Sequence, residues 1–322
     1  TSGYIIILIF LFPSLLYYKT DILKCKKFIL FIYLPFIFFL FVVLINPIFY
    51  KSNFSKEIKI ELYQLVLPIN KLNKNEIEND IINKINNSDS EYIFFAENNY
   101  PYIIDKKNYI KISKLIKANK KIIIGATTFE DDNYYNSFIL LEKNKIHYFD
   151  KKILVPFGEF LPFRNYLNFM EYIAGSIDFN TGSIERIIKT KENLKILPII
   201  CYEIIFDEIF NNIEKKEIDI LVNITNDSWF GNKIGPYQHF YITKIKSLIA
   251  NKPLVRVSNN GISAIIDNNG KILKNTKLNQ VAKLNYNLKI HNSKSYVNFH
   301  TFFKYYLFII FLLLFIYRER IL

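Results

Sequence analysis

Residues 28–50 run for 23 positions without a charged side chain. A helix of that length spans a hydrocarbon core of ~30 Å, so this stretch ties the chain to a bilayer before any other element is considered. Residues 4–18 are also uncharged but shorter. They lack the basic start and small-residue cleavage site of a signal peptide, and with Thr1-Ser2-Gly3 in front of them they read as the tail of a further span. Residues 297–317 are interrupted only by His300 and Lys304, whose long stem reaches toward the interface, and give a third expected span. The expected organisation is therefore two transmembrane helices with a short basic loop over 1–50, one large domain over 51–296, and a C-terminal transmembrane helix with a short tail over 297–322.

Basic residues beside the spans are nearly balanced. Lys19, Lys24, Lys26 and Lys27 face Lys51, Lys56 and Lys59 across the second span, so charge alone selects the sidedness only weakly. The formal charge of +13 raises the question of a nucleic-acid partner. The lysines, however, are scattered among Ile, Asn, Phe and Tyr along the whole chain, and a basic surface beside anionic lipid explains them equally well; no nucleic-acid partner is expected. Cys25 lies in the short loop and Cys201 in the large domain. On this topology they are separated by the bilayer, so Cys201 is an unpaired thiol and a cysteine-based metal site is excluded there.

Between the spans, short apolar runs alternate with polar stretches. Strands are expected at 58–67, 92–95, 121–125, 196–200, 218–224, 253–258 and 262–266, a hairpin over 137–149, and a turn at Asn268-Asn269-Gly270 leading into 271–273. Helices are expected at 73–87, polar and solvated, and at 111–119. Pro198 argues somewhat against its strand. Strands alternating with helical stretches, plus hairpins, predict an α/β domain with a mixed sheet.

Three polar residues far apart in sequence each follow an apolar run: Glu97, Lys151 and Cys201. Each alone has a bland explanation, since a Glu or Lys at a strand end is usually solvated and a lone Cys is usually a small buried hydrophobe. Strand ends are also where distant segments converge, and together the three are chemically complete. A carboxylate takes the thiol proton, an ammonium stabilises thiolate and oxyanion, and the thiolate attacks a carbonyl.

Four motifs extend the pattern: LVPFGEFLP at 154–162, ICYEI at 200–204, NDSWFG at 226–231 followed by IGPYQHF at 234–240, and SNNGI at 258–262. With them the chain resembles the nitrilase superfamily and, within it, the integral membrane branch formed by the apolipoprotein N-acyltransferase family. The resemblance implies a nitrilase-like αββα sandwich flanked by transmembrane helices. It also implies Glu97 as general base, Lys151 (rather than adjacent Lys152) as the cation at the tetrahedral intermediate, and Cys201 as nucleophile. Glu159, Tyr202 and Glu203 match supporting positions, the Tyr202 N–H being a candidate oxyanion donor, and Trp229 matches an aromatic near the acyl pocket. Ala96, Ile153 and Ile249 depart from the family pattern, at positions where it has Pro, His and Glu. The implied reaction moves a fatty acyl group from a membrane phospholipid, through a Cys201 thioester, to the α-amino group of a diacylglyceryl-cysteine lipoprotein, with the domain on the periplasmic side of a bacterial inner membrane. No cofactor is implied. A membrane-tethered amidase with the same triad and an inactive membrane-anchored binding domain are the competing expectations. Because the family carries several spans before the reactive domain, the chain is expected to be a C-terminal fragment.

Overall fold

The computed structural model describes residues 53–292 except 69–72, 118, 144, 167–170, 172–176, 184–185 and 211–216. The three expected spans lie outside the described residues, and among the described residues no helix is long and apolar enough to cross a membrane.

Period-two alternation builds the core. In β1 (Asn53–Gln64), Ile58, Ile60 and Leu62 share one face. In β9 (Ile220–Thr225), Ile220, Val222 and Ile224 do the same, and these two faces meet in one apolar cluster. Each belongs to a larger sheet. The first runs β13 (Ala282–Asn292), β1, β2 (Tyr92–Phe94), β4 (Lys121–Glu130), β5 (Asn133–Glu142), β6 (Lys145–Asp150), with the short β3 (Ile104–Asp105) paired onto β4. The second runs β12 (Ile272–Asn275), β11 (Ala264–Ile266), β10 (Leu254–Ser258), β9, β8 (Lys195–Ile200), β7 (Ile188–Lys189). Both sheets mix parallel and antiparallel pairs. Side chains of alternate residues fill the outer faces: Ile93, Ile122 and Ile124 pack against Ile77, Ile81 and Ile85 of α1 (Lys74–Asn86) and Ile112 of α2 (Ile110–Ser113). On the far side Leu197, Ile199 and Leu221 pack with Phe240 and Ala250 of α3 (Ile234–Ala250). The result is the expected αββα sandwich.

Differences from the sequence expectations have local causes. α1 is not wholly solvated, because Ile77, Ile81 and Ile85 recur every fourth residue and form one buried stripe. The helix expected at 111–119 shrinks to the single turn α2, where the Ser113 hydroxyl donates to the Ile110 carbonyl at 2.7 Å and the bonds beyond it are of the tighter i to i+3 kind. Pro198 is tolerated in β8 because the two-residue β7 pairs only with Ile196 and Lys195, leaving that edge of Pro198 with no partner to serve. α3 inverts the usual pattern. His239, Thr243, Lys246 and Ser247 face inward, whereas Ile234, Tyr237, Tyr241, Ile245 and Leu248 are exposed.

Candidate active site

Three strand ends deliver the expected trio to one place. Glu97 follows β2, Lys151 follows β6 and Cys201 follows β8, so two come from the first sheet and one from the second. All three are buried. The Lys151 Nζ lies 3.8 Å from Glu97 Oε1 and 2.8 Å from Glu159 Oε1. Lys152 instead uses its backbone N–H, donated to Glu203 at 2.7 Å, so the ammonium at the site is that of Lys151. The Glu97 charge and the Lys151 charge both act on the Cys201 thiol, in opposite directions.

Two carboxylates this close repel unless something bridges them. Lys151 is one bridge and Asn136 of β5 the other: its Nδ2 donates to Glu97 Oε1 at 2.7 Å and to Glu159 Oε1 at 2.8 Å. The second Glu97 oxygen accepts the Asn226 N–H at 2.7 Å, and that of Glu159 accepts the Val155 N–H at 2.9 Å. Burial raises the Glu97 pKa, Lys151 opposes the rise and the Glu159 charge adds to it. Burial works against the charge of Lys151, but the pull of Glu97, Cys201 and Glu159 outweighs it and holds the ammonium above the ordinary lysine range. Burial, reinforced by the Glu97 charge and opposed by Lys151, pushes the Cys201 thiol up to about 12. The resting site therefore holds a thiol beside a carboxylate of raised basicity, the arrangement needed for proton removal at the moment of attack.

Cys201 sits at a strained turn. Cys201 has φ +51° and opens the 3-10 turn Cys201–Ile205 straight off β8. For a residue with a Cβ such a conformation costs on the order of 1–3 kcal/mol and persists only where its surroundings enforce it. Glu203 supplies part of that enforcement. Fully buried, it accepts the N–H groups of Ile200 at 2.9 Å, Lys152 at 2.7 Å and Ile153 at 3.1 Å, and pairs with the buried Arg186 guanidinium. One carboxylate thus staples the nucleophile turn to the lysine loop, while Arg186 stacks 4.7 Å over Phe149. Tyr202 packs on Phe206 and Phe230. Trp229, next to Phe230, stands 67% exposed.

The remaining motifs also find physical roles. Asp227 is fully buried and bonded to Arg256, His239, Thr225 and Ser258. Burial opposes its charge, yet Arg256 and His239 hold its carboxyl well below the usual range. Asn259 takes the Leu67 N–H and bonds Asn99, whose side chain in turn caps the Ala96 N–H just before Glu97. A Cβ on Gly261 would lie 1.8 Å from Asp227 Oδ2. Asn136, Arg186 and Arg256 escaped the sequence reading: each follows no motif, and only the tertiary fold puts a lone Asn or Arg beside a carboxylate. Asp227 and His239 lay inside the quoted motifs without a role.

A two-sheet sandwich with Glu, Lys and Cys brought together at three strand ends is the arrangement on which the family comparison falls, and the chain belongs to the carbon–nitrogen hydrolase family, whose profile matches residues 85–284. The fold is shared with a Saccharomyces cerevisiae member of branch 10 of the nitrilase superfamily (TM-score 0.56, 18% identity, 74% of this chain and 93% of that one). It is shared too with a carbon-nitrogen hydrolase from Helicobacter pylori (TM-score 0.55, 14% identity, 72% and 89%). Within the family, the chain is similar to apolipoprotein N-acyltransferases. That of Rickettsia prowazekii is 40% identical over 181 residues, covering 56% of this chain and 35% of the relative. That of Wigglesworthia glossinidia brevipalpis is 37% identical over 268 residues, covering 74% and 52%. The chain thus spans about a third to a half of the length of these curated relatives.

Proposed function

We propose that the protein is a membrane-bound N-acyltransferase that moves a fatty acyl group from a phospholipid to the α-amino group of an N-terminal diacylglyceryl-cysteine on a lipoprotein. The observation that carries the proposal is the convergence of Glu97, Lys151 and Cys201 in a chain whose curated relatives are named apolipoprotein N-acyltransferase. In the first half-reaction Glu97 takes the thiol proton as Cys201 Sγ attacks the phospholipid ester carbonyl. Lys151 and the Tyr202 N–H stabilise the oxyanion, the C–O bond breaks, and Glu97 returns the proton to the departing lysophospholipid alkoxide. In the second the lipoprotein amine attacks the thioester, loses its proton to Glu97, and the C–S bond breaks to give an amide and a free thiol. Glu159 holds Lys151, Glu203 holds the nucleophile turn, and Trp229 contacts the acyl chain. Residues 1–50 and 297–322 supply transmembrane helices that anchor the 51–296 domain on the periplasmic face of the inner membrane, where both substrates are lipid-anchored and proximity is gained by confinement.

The test is mass spectrometry of the membrane-purified full-length enzyme and a Cys201→Ser variant after incubation with a phospholipid of defined acyl chain. A thioester-sized gain on the parent alone, discharged onto the amine of a diacylglyceryl-cysteine peptide, is expected. Release of free fatty acid with the peptide unmodified would identify a hydrolase instead. A folded enzyme that takes up no acyl group would refute the transfer chemistry.

A further inference from the structure

The carbonyl oxygen of Cys201 accepts two side-chain donors from the buried layer beneath it. His239 Nε2 and Asn223 Nδ2 both lie 3.3 Å away. Neither touches the thiol chemistry directly, and both are held by one guanidinium. Arg256 Nη1 donates to Asn223 Oδ1 at 2.6 Å, and Nη2 donates to Asp227 Oδ2 at 2.8 Å and lies 3.1 Å from His239 Nδ1. An imidazole beside an aspartate, near a reactive cysteine, invites assignment as a general base. The geometry excludes that, because the Nε2 that a base would turn to the sulfur is on the backbone carbonyl instead. A carbonyl oxygen only accepts, so Nε2 carries the proton. Nδ1 faces an acceptor, Asp227 Oδ1 at 2.9 Å, and a donor, the Arg256 Nη2, so it is served in either charge state of the ring.

The Cys201 carbonyl and the Tyr202 N–H are the two ends of one planar trans peptide and point in opposite directions. Fixing the oxygen toward His239 therefore fixes the N–H away from it. Donation to the carbonyl of a peptide also strengthens the N–H of the same peptide as a donor. Tyr202 is the second residue of the 3-10 turn, among the N–H groups that such a turn leaves without an internal acceptor. We propose that His239, assisted by Asn223, is a positioning residue that grips the Cys201 carbonyl and so aims and polarises the Tyr202 N–H toward the oxyanion. The two donors also hold Cys201 in its left-handed conformation. This role rests on the thioester chemistry proposed above, in that it needs Cys201 to attack a carbonyl, but not on which acyl donor is used.

Oxyanion assistance accelerates attack on an ester carbonyl and does nothing for displacement at a saturated carbon. The experiment uses this difference: the rates at which Cys201 is acylated by a p-nitrophenyl ester and alkylated by iodoacetamide are measured on the full-length enzyme, with His239→Leu and His239→Gln variants. Removing one oxyanion donor costs about 100- to 1000-fold, so losing the group that orients it is expected to slow acylation about 10- to 100-fold. Alkylation should stay within about threefold, and His239→Gln, which retains a side-chain N–H, should recover most of the acylation. Equal loss in both reactions, no loss in either, or no recovery by glutamine would overturn the role. Should His239→Leu unfold, seen as alkylation at the rate of denatured protein, His239→Met keeps the volume without the donor and carries the same comparison. A parent enzyme acylated by the ester but not by phospholipid would remove the lipid-donor proposal and leave this one standing, whereas a parent inert to the ester would remove both.

Discussion

Asn136 is the neutral bridge of the site. Its side-chain NH2 donates to two carboxylates, so Glu97 and Glu159 share a neutral donor as well as the Lys151 ammonium. Hydrogen bonds to the charged form favour it. Burial nevertheless leaves the Glu97 pKa raised, and a base works only when deprotonated. Acylation of Cys201 is thus expected to rise with pH, with its half-point above the roughly 4.3 of an ordinary glutamate. Asn136→Leu removes a bond to the charged form and should move that half-point further upward, slowing acylation on the acid side of the limb. The pH profile of acylation by an ester donor checks both; a limb at the ordinary value, or one shifted downward in the variant, would contradict this electrostatic account. Glu97, Lys151 and Cys201 were legible in the sequence because each closes an apolar run. Asn136 was not, because it sits within β5 and its partners are 39 and 23 positions away.

Elements here are positioned by what their neighbours leave open. β4 carries Gly125 where the turn holding Glu97 crosses it, and a Cβ there would lie 2.5 Å from the Glu97 Cα and 2.6 Å from the Asn98 N. Gly125→Ala is expected to cost about 1–3 kcal/mol through backbone displacement. Because the displaced atoms belong to Glu97, the proposed base, acylation should fall by more than the lost stability explains; thermal unfolding and single-turnover acylation on the same preparation measure the two. The Glu203 staple behaves differently. Glu203→Gln leaves the Arg186 charge buried without its partner, an expected loss of about 3–5 kcal/mol, and pairing it with Arg186→Met should recover a large part of the stability. Recovery of stability without recovery of acylation would mark the loss of the nucleophile-turn geometry. Most strands were readable as short apolar runs between polar stretches, yet β13 was overlooked although Leu284, Tyr286, Leu288 and Ile290 alternate cleanly with polar residues. No helix was expected over α3, whose residues 234–240 stood out only as a motif. Its exposed stripe is the apolar one, so periodicity points to the wrong face, and its inward polar residues make sense only once Asp227 and Arg256 are seen beneath them.

At the scale of the whole molecule, the proposed membrane attachment has two alternative causes, and they make opposite predictions. If the apolar segments 28–50 and 297–317 hold the chain, it should stay in the membrane pellet through both high salt and alkaline carbonate. If the charge of +13 on anionic lipid holds it, salt should release it. Fractionation of membranes carrying the full chain distinguishes them, and retention through carbonate is the expected outcome. Within the sandwich, β1 pairs with β13 from Asn53↔Asn292 to Gln64↔Ala282, so the first strand of the domain to be synthesised finds its neighbour on one side in the last. At ~5–20 residues per second, the ribosome makes β13 roughly 12–50 seconds after β1. Throughout that interval one edge of β1 has open backbone groups, a template for stray pairing. The Cys201 turn is made well before the sheet opposite it is complete, so the Cys201 thiol exists in the nascent chain before its domain is sealed. A holdase or an early docking partner for that edge would act in this window, and slowing translation downstream of β9 would lengthen the exposure.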